Sequence, residues 1–382
     1  MRGFLLLFAG LTVAGLSLVL ARFPGAVERV YGDALGPSIA RILSLLTGWS
    51  PVSVSFMGLV ALLGWAGWRA VLGVSRIRAG EIGTVLAIQK GLSWTAGVVG
   101  VLLLAFYLLW GLNYARSPLD RRLGLVADGV PDGEALRELA AHVVERTNLA
   151  YRTLHGGRTD IGSPTQGEMD GRRLSDELGV GWERVGGALG MGDFAGRRYG
   201  PVKFRGTTWL LDGLDLLGVY SPFTGEAHVT ASPPAVVIPA SMGHEQAHQR
   251  AIPRENEATF AGALAAIHSD GLLVRYSGWA RVLRSVMRDL ARVDSEGRDA
   301  LMESLHPGVR RDWADYARWY RENRSVAGPV ASAVNDTYLR THAVPGGIRS
   351  YSRDTTLFLE WWRRNEGRLT VLPGVAPPTP GS

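Results

Sequence analysis

The 382-residue chain contains no cysteine, which excludes disulfides, Cys-based zinc sites and thiol nucleophiles. Its net charge of +6 is modest for this length, and no basic stripe interleaved with aromatics occurs, so nucleic acid is not an expected partner. Hydrophobic residues make up 46% and charged residues 20%, but that average joins two unlike parts. The first 115 residues are apolar and glycine-rich, whereas the remainder is charged, arginine-rich and long enough for a core of its own.

Three segments of the first part have the length and composition of bilayer spans. Residues 4–20 are an unbroken apolar run after Arg2. Residues 52–74 are apolar apart from Arg69, which lies near one end and can snorkel. Residues 92–112 carry Trp94, Tyr107 and Trp110 toward their ends as interface anchors. A signal peptide is the alternative for the first run, but no small-x-small cleavage site follows it and two further spans do. Core helices of a soluble protein are the plainer alternative for all three, and their lengths argue against it. Between the first two spans, residues 27–49 space Val30, Tyr31, Leu35, Ile39, Ile42 and Leu46 as a broken amphipathic helix lying on the membrane surface.

Three spans put the two ends of this part on opposite sides of the bilayer. The short second loop holds Arg76, Arg78 and Lys90 against Glu81, with Arg69 at its edge. The longer first loop holds Arg22, Arg29 and Arg41 against Glu28 and Asp33. The denser positive loop is expected in the cytoplasm, which leaves the C-terminal domain outside. Arg116, Arg121 and Arg122 weigh the other way. The expected plan is a membrane domain over residues 1–115, a second domain over 116–370, and a Pro/Gly-rich disordered tail over 371–382.

In the second domain, Leu136, Leu139, Ala140, Val143 and Val144 predict an amphipathic helix from Pro131 to about Tyr151. Residues 155–171 are loop-like, and 174–189 predict another helix. Lys203 to Leu210 fits a short strand or a helix entry. Tyr220 to Glu226 is turn chemistry, after which Ala227 to Ala231 alternates as an edge strand. Pro233 and Pro234 open a helix running to about Gln249. Ala251-Ile252-Pro253 breaks it, and an alanine-rich helix follows to about His268. Further helices are expected over 278–293, 307–323, 325–341 and 354–365.

The chemistry lies in His244-Glu245-Gln246-Ala247-His248, an H-E-x-x-H motif. Histidines four apart stack on one helical face, so both imidazoles can point at one ion. The glutamate between them lies beside that ion, where it can take a proton from metal-bound water. A surface helix with two unrelated histidines is the bland alternative. A catalytic zinc needs a third protein ligand, and Glu255 and Glu257 are the candidates. Two positions on a helix turn by about 200°, so both cannot face one ion. Acidic residues at a helix start also favour the macrodipole without any metal. Tyr276, Asn335, Tyr338 and His342 are candidates to donate to an oxyanion, with Tyr276 set first. His228 and His268 are expected to be surface or capping residues rather than ligands.

His-Glu-x-x-His-Gln followed closely by Glu-x-Glu-Ala-x-Phe (Glu255 to Phe260) resembles the DUF3810 family of bacterial membrane proteins, among zincin-like metallopeptidases. Tyr220 to Glu226, Arg275-Tyr276-Ser277-Gly278, Val334 to Leu339 and Gly347 to Tyr351 carry the likeness over most of the chain. It implies a mainly α (α+β) protein, with three N-terminal transmembrane helices before a zincin-like helical metallopeptidase domain and a small edge sheet. It implies Zn2+ held by His244, His248 and Glu255, with Glu257 as the alternative third ligand. Glu245 would be the general base in hydrolysis of a peptide or protein substrate, held on the edge strand around Glu226 to Thr230. The chain departs from related elements at Thr259, where Asp or Asn is frequent, and in its short loop from His248 to Glu255. A membrane sensor or scaffold with a structural, non-catalytic zinc is the rival expectation, and zinc-independent binding is a third.

Overall fold

Glycines decide how the first apolar helices meet. In the computed structural model, which describes residues 2–125, 132–157, 164–167, 169–196, 198–204, 206–341 and 353–371, α1 (Arg2–Leu20) packs along α5 (Thr84–Leu109). A Cβ at Gly100 would overlap the backbone of Leu6, and one at Gly10 would come within 2.8 Å of the Gly100 carbonyl oxygen. Apolar helices in hydrocarbon gain little from hiding apolar surface, so close backbone approach through small residues drives their association. Gly100→Ala is therefore expected to destabilise the α1–α5 pair by about 1–3 kcal/mol, as overpacking does. Gly15→Ala, where nothing lies within 4 Å, is the control. Equal thermal midpoints for the two variants in detergent would refute the seam.

The chain divides into two units, Met1–Arg116 with Ser221–Glu226, and Ser117–Tyr220 with Ala227–Ser382. In the first unit α1 is followed by α2 (Pro24–Val27), a π-helical turn (Glu28–Gly32), α3 (Leu35–Gly48), α4 (Val54–Arg78), α5 and a 3-10 turn (Gly111–Ala115). Helices α1, α4 and α5, of 19, 25 and 26 residues, are long and apolar enough to cross a membrane. Their bounds differ from the hydropathy windows because helix formers carry on past the apolar core. Gln89 and Lys90 continue α5 back to Thr84, and Arg76 and Arg78 continue α4. The region over 27–49 is broken, as its spacing suggests. Glu28 accepts from Arg116 at 2.6 Å within this unit.

Glu226 has an unexpected task. Its carboxylate accepts from the Val54 and Ser55 backbone N–H groups at 2.9 and 2.7 Å, while Ser53 accepts from Phe56 N at 2.9 Å. An anion at a helix N-terminus satisfies unpaired donors and opposes the positive end of the macrodipole. The Glu226 side chain thus caps α4 within the first unit.

The second unit, apart from the strand ends Ser221 and Glu226 that fall in the first, runs α6 (Leu119–Leu123), α7 (Gly133–Leu154), α8 (Gly171–Gly186), α9 (Thr208–Gly213), β1 (Gly218–Ser221), β2 (Glu226–Val229), α10 (Ile238–Gln249), α11 (Glu255–Ile267), α12 (Leu272–Val293), α13 (Ser295–Glu303), α14 (Pro307–Glu322), α15 (Gly328–Thr341) and α16 (Asp354–Arg364). The protein is mainly helical, at 72% helix, with one two-stranded sheet among the described residues. Helix α11 is its axle: every residue from Glu257 to Ile267 is buried, and α8, α10, α12 and α16 pack around it. Phe260 on α11 meets Phe358 and Trp361 of α16 at ring distances of 5.3 and 5.7 Å.

Several expectations shift. Strand β2 is wholly buried and lies between β1 and a parallel bridge from Lys203 to His228, so it is not the edge strand. His228 is consequently a buried sheet residue rather than a surface one. Helix α10 starts at Ile238 with Pro239 in its first turn, since Pro233 and Pro234 precede a separate turn. Helix α12 starts at Leu272, six residues before Gly278. Helix α13 was unforeseen, although Asp294 caps it by accepting from Gly297 N at 2.9 Å. The segments 342–352 and 372–382 lie outside the described residues.

Candidate metal centre

The reversal between α10 and α11 places the motif against its third donor. Ala251 takes φ +61°, a left-handed conformation unusual for a residue with a Cβ, and hydrogen bonds from Ala251 and Ile252 N close the turn onto His248 and Ala247. Beneath it Arg250 is clamped between the Trp182 and Tyr199 rings at 4.6 and 4.5 Å. The Arg250 guanidinium also donates to the carbonyls of Ala195 and Gln246, each at 3.1 Å. Beyond the turn the two helices cross at Gly243 and Gly262, where a Cβ on either would lie 2.5–2.7 Å from the other's backbone. Only glycine lets the helices come this close, and the crossing abuts His244.

His244, His248 and Glu255 converge there, with one donor atom from each lying within 4.8 Å of the others. Glu255 Oε2 is 2.9 Å from His244 Nε2 and 3.7 Å from His248 Nε2, and the imidazole planes stand at 88°. The other ring nitrogens are fixed: His248 Nδ1 donates to the Ile252 carbonyl at 2.8 Å, and His244 Nδ1 lies 3.0 Å from Thr259 Oγ1. These contacts turn both Nε2 atoms toward Glu255, the arrangement that outer partners give to ligand histidines. Thr259, the departure noted in the sequence, thus fills the orienting position with a hydroxyl. Glu257 points elsewhere. It accepts from Leu119 N at 2.8 Å and lies 3.5 Å from Arg254.

Glu245 is buried beside this cluster, and its Oε2 has no hydrogen-bond partner among the described residues. Strand β1 passes over it, so that a Cβ on Gly218 would come within 2.5 Å of Glu245 Oε1. Tyr220, two residues on, has its ring 6.2 Å from that of His248. Burial pushes the Glu245 carboxyl up to about 8, eased by His248 and reinforced by Glu255. Burial lowers His244. Burial opposes charge on His248 as well, but Glu255 and Glu245 outweigh it and carry that imidazole up to about 9. Burial also works against the Glu255 carboxylate, yet the two histidines hold it well below the usual range.

The oxyanion candidates fare differently. Tyr276 is fully buried, and its hydroxyl donates to Asp312 at 2.7 Å, an acceptor it shares with Thr165. That bond ties its hydroxyl to the α12–α14 contact, and among the described residues no hydrogen bond joins it to the motif residues. The side chains of Asn335 and Tyr338, and all of His342, lie outside the described residues. His268 closes α11, donating from Nδ1 to the Leu264 carbonyl at 2.7 Å and accepting from Val371 N at 2.9 Å.

A family model described as a protein of unknown function (DUF3810) matches residues 31–359. The chain belongs to that family. The match takes in two of the three long apolar helices and every residue of the cluster. Neither the curated proteins nor the solved structures yield a match.

Proposed function

We propose that this DUF3810 protein is a membrane-anchored, zinc-dependent peptidase. The observation that carries the reading is a buried glutamate with an unpartnered oxygen beside three converging donors of the type zinc takes. A buried carboxylate oxygen left without a partner is costly unless its work requires it. His244 and His248 through Nε2, and Glu255 through a carboxylate oxygen, would hold the ion. When bound, zinc supplies Lewis-acid polarisation of a carbonyl and makes water acidic near neutral pH. Glu245 takes the proton of the attacking water on its free Oε2 and returns it to the leaving amine. Strand β1, rather than β2, offers its backbone to an extended peptide, since it crosses directly over Glu245.

The rival reading, a structural zinc in a sensor or scaffold, wants a fourth protein ligand. Glu257, the expected one, is held away from the cluster through Oε1, which takes Leu119 N and faces Arg254, while its buried Oε2 meets no partner among the described residues. Three donors leave a position open for water, which favours catalysis. We place the anchor in a bacterial inner membrane, with the peptidase domain outside, following the excess of Arg76, Arg78 and Lys90 at the facing ends of α4 and α5.

The test is metal analysis of the purified full chain together with hydrolysis of a quenched-peptide library. About one zinc per chain is expected, with cleavage abolished by chelator and restored by zinc. Glu255→Gln should lose zinc while Glu257→Gln keeps it. Zinc-free protein after purification in zinc-supplemented buffer would overturn the reading.

A further inference from the structure

Away from the metal centre, the first unit contains a groove of about 820 Å³ between α1, α4 and α5. Its floor is the glycine seam, where Gly3 and Gly97 present no side chains. Its walls are apolar, with Leu6 and Leu62 facing Val98, Val101 and Leu102. Helix α4 has no buried residue and meets α5 through an edge-to-face pair, Trp65 on Trp94 at 5.1 Å. It therefore stands away from α1 and α5 instead of sealing the cleft.

The polar end of the groove carries Arg69, Lys90, Gln89 and Ser93, with no acidic residue. Neither Arg69 nor Lys90 forms an ion pair among the described residues. Both sit inside their helices: Arg69 lies nine residues before the end of α4, about 13 Å along the axis, and Lys90 six after the start of α5, about 9 Å. Arg69 lies near one end of the apolar stretch of α4 and Lys90 just before that of α5, so both cations can meet a lipid phosphate at the membrane interface.

We propose that the groove binds one anionic phospholipid, its phosphate between Arg69 and Lys90 and an acyl chain along α5. The dimensions agree. From Lys90 to Leu102 is twelve residues, about 18 Å of helix, against about 15 Å for one leaflet's hydrocarbon. Two cations without a carboxylate favour a headgroup of net negative charge over a zwitterionic one, whose amine they repel. Basic pockets between spanning helices recognise anionic headgroups on this principle. The proposal is independent of the peptidase reading, since no residue of the metal centre takes part.

The experiment is native mass spectrometry of the full chain in mild detergent, with equimolar phosphatidylglycerol and phosphatidylcholine of identical acyl chains. One phosphatidylglycerol per chain should be retained with a preference of roughly thirty-fold, the product of two basic contacts. The double variant Arg69→Gln/Lys90→Gln should lose the preference. Val98→Trp keeps both charges but fills the groove, and should lose retention of either lipid. Equal retention of the two lipids by the wild type would mean an ordinary lipid annulus and overturn the proposal, whatever the variants do. Displacement by millimolar inorganic phosphate would overturn it too, because the acyl chain would then contribute nothing.

Discussion

Glu245→Gln is expected to leave zinc at one per chain and to lower peptide hydrolysis by about 10²–10⁴-fold, the usual contribution of a positioned acid–base group. The amide copies the shape of the carboxyl, so the packing under Gly218 survives. What disappears is the ability to accept a proton at Oε2, the atom the fold leaves without a partner. His244, His248 and Glu255 do not depend on Glu245 for their mutual geometry, because Thr259 and the Ile252 carbonyl orient the two rings. Zinc stoichiometry and turnover should therefore separate cleanly in this variant. Hydrolysis within a few-fold of wild type would sink Glu245 as the base, and loss of zinc would mean that it belongs to the ligand set.

Much of this site was legible because its spacing is local. The four-residue interval of His244 and His248 is a property of one helix, and so is the placement of Glu245 beside them. The third donor could be narrowed but not chosen. Glu255 and Glu257 differ by about 200° of rotation, and the phase that turns Glu255 inward comes from the left-handed Ala251 turn and the glycine crossing. Neither has a periodic signature. Tyr276 shows a related limit: the Asp312 that accepts from its hydroxyl is 36 residues away, and only tertiary packing brings them together. Glu226 is the extreme case, since its local sequence reads as the end of a turn while its carboxylate serves backbone donors 171 and 172 residues earlier. The three long apolar helices were legible in hydropathy, which reports the apolar stretch and not where the helix stops.

Gly262→Ala tests whether the helix crossing sets the donor geometry. An added methyl would meet the Gly243 carbonyl carbon at 2.5 Å and His244 N at 2.6 Å, and both are backbone atoms with no rotamer to yield. Helix α11 must therefore move off α10, or the turn at Ala251 must open, and either motion carries Glu255 away from His244. Overpacking of this kind costs about 1–3 kcal/mol. The effect on the ion should be larger in proportion, because zinc sites tolerate only about 0.2 Å in ligand distance. We expect a lower thermal midpoint in metal-free protein together with zinc affinity reduced by roughly 10–100-fold, the range seen when support for ligand groups is removed. Gly179→Ala on α8 is the matched control, since nothing lies within 4 Å of its added methyl. That change should stabilise by about 0.4–1 kcal/mol through the unfolded chain and leave zinc affinity alone. If Gly262→Ala lowers the midpoint but binds zinc as wild type does, the crossing is a packing device only, and the alignment of Glu255 must come from the Ala251 turn.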